Sequence, residues 1–354
     1  MTLPDYCAVI PTYGRAEILP LTVRALAMQD PRPRRVVVID ATPNMADYSD
    51  TLRSEADGIE LIHEPAEARS ITAQRNQGVR HAAGEVVFLI DDDSLLYPGC
   101  AEAVLKAYAA DEAGEVVGVS PALVPTPPPA FAEDLGGIQQ KRRGSAGWLS
   151  RLPLGGLRDF IRRQVVLLDN ETSFIPYDGR YYRRPVPAAL RGQNVRPTSL
   201  FHGARMTYRR SVFEREAFET RMRAYAVFED CDFSYRASRH GALLEALDGQ
   251  LYHHTVASGR MPRRVVAKLT MLNLAALLRF QRSRAASAQW AMGVYTLRRL
   301  VAELIKDSLA GRWSLPQFRG VCEAMPAMRR ILCCPREEAS PTYSRHIESS
   351  LAKL

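Results

Sequence analysis

The chain has 354 residues, enough for about two domains at the usual 100–200 residues each. Apolar residues make up 46% and charged residues 24%, a balance that excludes disordered, collagen-like and disulfide-scaffold classes. Lys and Arg (47) outnumber Asp and Glu (39), and the formal charge of +8 points to an anionic partner: nucleic acid, an acidic membrane surface or a phosphorylated small molecule.

In chain order, residues 7–10 form an apolar strand that runs into Pro11-Thr12-Tyr13-Gly14-Arg15, and residues 17–29 follow as a helix. Residues 35–40 (Arg-Val-Val-Val-Ile-Asp) are a second strand, β-branched enough for burial on both faces. A short strand at 60–63 and a helix at 70–83, stopped by Gly84, lead to a strong strand at 85–90 that runs straight into Asp91-Asp92-Asp93. This alternation predicts an α/β fold with a mainly parallel sheet and helices on both faces, whose strands end in polar residues at the edge where such sheets bind ligands. Proline keeps 124–129 extended. Residues 126–200 read as a basic, irregular insertion, with Lys141, Arg142, Arg143, Arg158, Arg162 and Arg163 near Trp148, Leu149 and Leu152. Residues 201–260 close the first domain, and a helical pattern at Val265, Leu269, Leu272 and Ala276 opens a C-terminal region over 261–354.

Six cysteines, at 7, 100, 231, 322, 333 and 334, show no metal-site spacing and fit an intracellular, thiol-reduced protein. No signal-peptide pattern opens the chain. The longest apolar stretch, 265–278, contains Lys268, Thr270 and Asn273 and is shorter than the ~18 residues a spanning helix needs.

Three groups of residues carry chemistry. Three adjacent carboxylates at a strand end repel one another, and a divalent cation is their natural screen. Glu229 and Asp230 fall near the start of a helix that carries Phe233 and Ala237, where free N–H groups favour carboxylates. His253 and His254 follow the apolar pair Leu251-Tyr252, and either imidazole could join carboxylates around a first-row metal.

Seven ordered motifs over roughly residues 5–260 resemble the inverting glycosyltransferases of family 2, with a GT-A fold, and among them bacterial polysaccharide and rhamnosyl transferases. They are Val9 to Arg15; Val38-Ile39-Asp40; Gln74 to Gly78 with Ala83-Gly84; Phe88 to Asp93; His202-Gly203-Ala204 with Arg209-Arg210; Glu229 to Phe233 with Arg236 and Gly241; and His253. The resemblance implies that Pro11, Thr12, Tyr13, Arg15, Asp40, Arg75, Asn76, Asp91 and Asp92 hold the nucleotide-sugar. It further implies a DxD element in which Asp93 and Asp91, with His253 or His254, bind Mn²⁺ or Mg²⁺. Asp230 matches the catalytic base, with Glu229 beside it binding the acceptor or holding the loop. The donor would be a nucleotide-diphosphate sugar and the acceptor a glycan or lipid-linked hydroxyl, in surface polysaccharide or glycoconjugate synthesis.

Between Arg260 and Arg330, 14 basic residues face only Glu303, Asp307 and Glu323, so the positive charge resides in the C-terminal part. A cytoplasmic protein that rests on an anionic membrane surface fits this pattern, as does a helix packed on its own domain with a solvated basic face. Nucleic acid is excluded as a partner, because no recognition motif is present and the aromatics are not interleaved with arginine. Two other readings are a sugar nucleotidyltransferase, which would want a Gly-rich phosphate loop after the first strand, and an inactive scaffold of the same fold.

Overall fold

The computed structural model describes residues 2–138, 140, 156, 160–222, 226–256, 261–282 and 285–352. Lys141, Arg142, Arg143, Trp148, Leu149, Leu152, Arg158, Arg260 and Arg284 therefore lie outside the described residues. The chain divides into two compact units. One comprises Met1–Lys141, Tyr182–Thr220 and Glu229–Gly259, and the other Arg142–Tyr181, Arg221–Phe228 and Arg260–Leu354. The expected insertion over 126–200 is thus not one piece: its middle groups with the C-terminal helices, while its last part returns to the sheet.

The first unit is built on a nine-stranded mixed sheet: β1 (Tyr6–Thr12), β2 (Arg35–Asp40), β3 (Glu60–Pro65), β4 (Val86–Ile90), β5 (Ser94–Leu96), β6 (Val116–Val124), β7 (Val195–Thr198), β8 (Arg205–Arg209) and β9 (Ala242–His253). The order is β3-β2-β1-β4-β8-β6-β9-β5, with β7 also paired to β9. β1, β2, β3 and β4 run parallel, whereas β8 enters antiparallel between β4 and β6. Among the described residues, the helices of seven or more residues in this unit are α1 (Leu19–Ala27), α2 (Ser49–Glu55), α3 (Ile71–His81), α4 (Cys100–Ala110) and α5 (Glu229–Ala237).

Strand side chains alternate between faces, and each face has its own core. Ala8, Ile10, Val36, Val38, Phe88 and Ile90 pack with Leu19, Val23, Leu52 and Val104 from α1, α2 and α4. Val9, Val37, Ile39, Val87 and Leu89 pack with Val79, Phe233 and Ala237 from α3 and α5. Both faces are covered, which explains the unbroken β-branched run of β2. The approach of α3 to the sheet depends on Gly78, because a Cβ there would lie 2.3 Å from Val9 Cγ1.

The second unit is helical in its C-terminal part: α6 (Arg263–Gln281), α7 (Ala285–Leu309), α8 (Pro316–Cys333) and α9 (Ala339–Leu351). Leu269, Leu272 and Ala276 of α6, which carry the helical pattern expected from the sequence, are buried. Gly320 brings α8 against α6, where a Cβ would lie 2.2 Å from the Arg264 carbonyl oxygen. Among the described residues no helix is long and apolar enough to cross a membrane. Glu303 and Asp307 of α7 are fully buried. Arg299 Nε (2.6 Å), Lys306 Nζ (2.7 Å) and Gln317 Nε2 (2.7 Å) meet Glu303, while Arg312 Nε (2.9 Å) and the N–H groups of Gln317 (2.8 Å) and Phe318 (3.1 Å) meet Asp307.

Candidate active site

The carboxyl ends of β1, β2 and β4 share one edge of the sheet. Gln74 ties two of them together, donating from Nε2 to the carbonyls of Thr12 and Ile39, both at 2.8 Å. Gly14, in the left-handed region at φ +63°, gives its N–H to Thr42 Oγ1 at 2.7 Å and links the loops after β1 and β2. Pro11 is the buried penultimate residue of β1. Tyr13 is exposed, and the Arg69 guanidinium stacks 3.6 Å from its ring centroid.

β4 delivers the three aspartates. Asp92 accepts from Thr12 Oγ1 at 2.7 Å, and its carbonyl accepts from Thr22 Oγ1 at 2.7 Å. Asp93 turns the other way, toward β9. The antiparallel register sets Ser94 opposite His253, so Asp93, one residue before the ladder starts, reaches that imidazole. Asp93 Oδ1 lies 2.8 Å from His253 Nε2, and Asp93 Oδ2 accepts the Val256 N–H at 3.1 Å. Asp91 Oδ2 is 3.9 Å from the same nitrogen. One ligand atom from each of Asp91, Asp93 and His253 can be chosen so that all lie within 4.8 Å of one another, the one such group found among the described residues. Two carboxylates and an imidazole fit a divalent cation of the Mn²⁺ or Mg²⁺ kind.

Burial pushes Asp91 up against the opposing charge of Arg75, and burial with the charge of Asp93 pushes Asp92 up to about 8. Burial acts on Asp93 in the same sense, but its hydrogen bond and charge interaction with His253 outweigh it and hold the carboxyl below the usual range. Arg15 adds favourable charge to both Asp92 and Asp93.

The second acidic pair sits at the start of α5. Asp230 is half-buried, and the N–H groups of Gly203 and Cys231, each at 2.8 Å, fix its two oxygens. Glu229 is buried and pairs with Arg75, which is itself fully buried. Arg75 also donates to Asp91 Oδ1 at 3.0 Å and to the Gly203 carbonyl at 3.1 Å. One guanidinium therefore joins the DxD strand, the Gly203 loop and α5. Among the described residues Glu229 Oε2 has no hydrogen-bond partner, and burial pushes the Glu229 carboxyl up to about 8 despite Arg75.

Several groups expected to touch a nucleotide face inward instead. Arg75 is sealed beneath the site and shapes it from below. Asn76 clasps the Phe218 backbone, giving Nδ2–H to its carbonyl and accepting its N–H, both at 2.9 Å, which uses both ends of the amide. The Asp40 side chain has no exposed surface, and its oxygens are taken by Tyr48 Oη, His63 Nε2 (3.1 Å) and the Thr42 N–H (2.8 Å). Those hydrogen bonds outweigh the upward push of burial and hold Asp40 low. His254 lies 3.1 Å through Nε2 from the Ile138 carbonyl, which can only accept, and 3.4 Å through Nδ1 from Tyr252 Oη. Its ring is spent on these contacts, and it is outside the converging group. Tyr48 and His63 are site-shaping residues that the sequence reading left without a role, since partners 8 and 23 positions from Asp40 follow no spacing rule. Arg69, which the sequence offers as a cation competing with Arg75 at the nucleotide pocket, is the one that lies against Tyr13.

The parallel βαβ half, the mixed second half and the acidic strand end make an α/β fold with a candidate ligand edge. The profile of glycosyl transferase family 2 matches residues 7–186, about half of the chain, and the chain belongs to that family. No curated protein matches the sequence. Among solved structures, GalNAc-T7 with UDP, GalNAc and Mn²⁺ is similar at a TM-score of 0.53 and 14% identity, over 93% of this chain and 58% of that one. The mannosyltransferase PcManGT from Pyrobaculum calidifontis, in complex with GDP-Man and Mn²⁺, gives 0.48 at 16% identity, over 100% and 87%. S. aureus TarS 1–349 with UDP-GlcNAc gives 0.47 at 16% identity, over 99% and 92%. The fold is GT-A-like.

Proposed function

We propose that this glycosyltransferase moves a sugar, with inversion, from a nucleoside-diphosphate donor held at the ends of β1, β2 and β4 to a hydroxyl of a glycan or lipid-linked acceptor. The observation that best supports this is the convergence of Asp91, Asp93 and His253, joined through Arg75 to the strand end and helix start that carry Asp91 and Asp230. Asp91, Asp93 and His253 would hold the divalent cation, which when bound supplies countercharge to the departing diphosphate. Tyr13 backed by Arg69 offers an aromatic face for the nucleobase, and Arg15 adds positive charge beside the aspartates. Asp230 is the base. Two backbone N–H groups orient its carboxylate, and its remaining lone pairs accept the proton of the attacking hydroxyl. Glu229 and Arg75 position it without touching substrate.

The test is Asp230→Asn. The variant should fold and still bind a nucleoside diphosphate with Mn²⁺, while transfer falls about 10²–10⁴-fold. Near-normal turnover would remove Asp230 as the base.

A further inference from the structure

The long helix α7 has two faces. Ala288, Met292, Tyr295 and Ala302 are buried with the ion cluster around Glu303 and Asp307. On the other face Trp290, Val294, Leu297, Val301 and Leu304 are exposed, Trp290 by 77% and Leu297 by 67%. The steps between these five are four, three, four and three residues, the alternation of d and a positions in a heptad. In that frame Val294 and Val301 occupy a, and Trp290, Leu297 and Leu304 occupy d. A β-branched residue at a with leucine at d is the combination that favours two parallel helices.

We propose that α7 is a self-association surface, through which two copies of this chain pair side by side as a parallel helical seam. The stripe exposes several hundred Å² of apolar surface per copy, so two copies together reach the order of 1,000 Å² that a specific interface needs. Charge favours a second copy over lipid. A helix resting on anionic lipid carries its cations along the flanks of its apolar stripe. Arg298 is the one charge among the exposed residues of α7, while Arg299, Lys306 and Arg312 are spent on Glu303 and Asp307. Arg298 takes an e position, which in a parallel seam meets the preceding g position of the other copy, Gly293. Antiparallel pairing would set e against e and oppose like charges.

Sedimentation velocity of the full chain over a dilution series tests this. The expected result is a dimer that Leu297→Glu weakens at least about tenfold while circular dichroism shows the fold intact, whereas Met325→Glu, at an exposed position of α8, leaves the dimer unchanged. With Cys322, Cys333 and Cys334 replaced by serine, Val301→Cys should oxidise to a disulfide-linked dimer, because an a residue faces its own copy in a parallel seam. A Leu297-dependent dimer without that disulfide overturns the parallel alignment. A monomer at every concentration, a dimer indifferent to Leu297→Glu, or a monomer that floats with phosphatidylglycerol vesicles through Leu297 overturns the surface itself.

Discussion

In the helical unit Glu303 and Asp307 are withdrawn from water, and each of their oxygens meets a donor: Arg299, Lys306, Arg312, the Gln317 amide or a backbone N–H at the start of α8. In the sheet unit three consecutive aspartates share an edge with Asp230 and Glu229, and a single buried arginine serves two of these five acids. The first arrangement is complete within the protein. The second leaves Asp91, Asp93 and His253 facing one another, a deficit of positive charge that a divalent cation can balance. Buried acids that are fully paired report on stability, and those that converge report on function.

The sharpest way to break this contrast is Asp93→Asn. Transfer should fall about 10²–10³-fold and Mn²⁺ binding, followed by electron paramagnetic resonance, should be lost, with the urea midpoint little changed. Loss of the fold instead would put Asp93 in the same class as Glu303. The reciprocal change, Glu303→Gln, should cost about 3–5 kcal/mol in urea denaturation, because it leaves buried cations without a counterion, while kcat of the folded enzyme stays near normal.

pH gives a finer test. Native Glu229, raised to about 8 from 4.5, holds a proton that the unfolded chain releases, so its contribution makes stability fall as pH rises from about 4.5 to about 8. Burial, with the charge of Arg299, lowers Lys306 from 10.5 to about 8, so the native state binds that proton less tightly and stability gains as pH rises from about 8 to about 10.5. Calorimetric Tm should therefore carry opposite slopes from these two groups on either side of pH 8, and Glu229→Gln should lessen only the lower one, to which Asp92, also raised to about 8, contributes in the same sense. An unchanged slope below pH 8 in that variant would mean that Glu229 is ionised beside Arg75 throughout. The smallest effect belongs to Asn76→Ala, which removes two hydrogen bonds to Phe218 and should cost about 1–3 kcal/mol with no change in donor KM.

The parallel part of the sheet was legible because its strands are buried on both faces. The run from Arg35 to Asp40 coincides with β2, and the helix expected at 70–83 forms as Ile71–His81. The antiparallel part was not, since β7 and β8 are four and five residues long with polar or proline-containing sequences, and their pairing with β9 and β4 is long-range. The aspartate triplet was visible as an unusual density of charge after an apolar run. The segment from Gln74 to Gln77 was visible as a motif, but its direction was not: Gln74, Arg75, Asn76 and Gln77 all spend their polar groups on the protein's own backbone or acids. Composition names the groups present. Only the helix's rotation against β1 decides which of them meet solvent.

The hydrogen bond from the Val256 N–H to Asp93 spans 163 residues of chain. During synthesis the parallel strands, with their aspartates, leave the ribosome well before β9 supplies His253 and closes the sheet. At about 5–20 residues per second that interval is roughly 10–30 s. A nascent chain in this window carries the acids without the imidazole, so the proposed metal site is completed only once β9 has emerged, and a fragment stopped before β9 should hold Mn²⁺ no better than a free cluster of carboxylates.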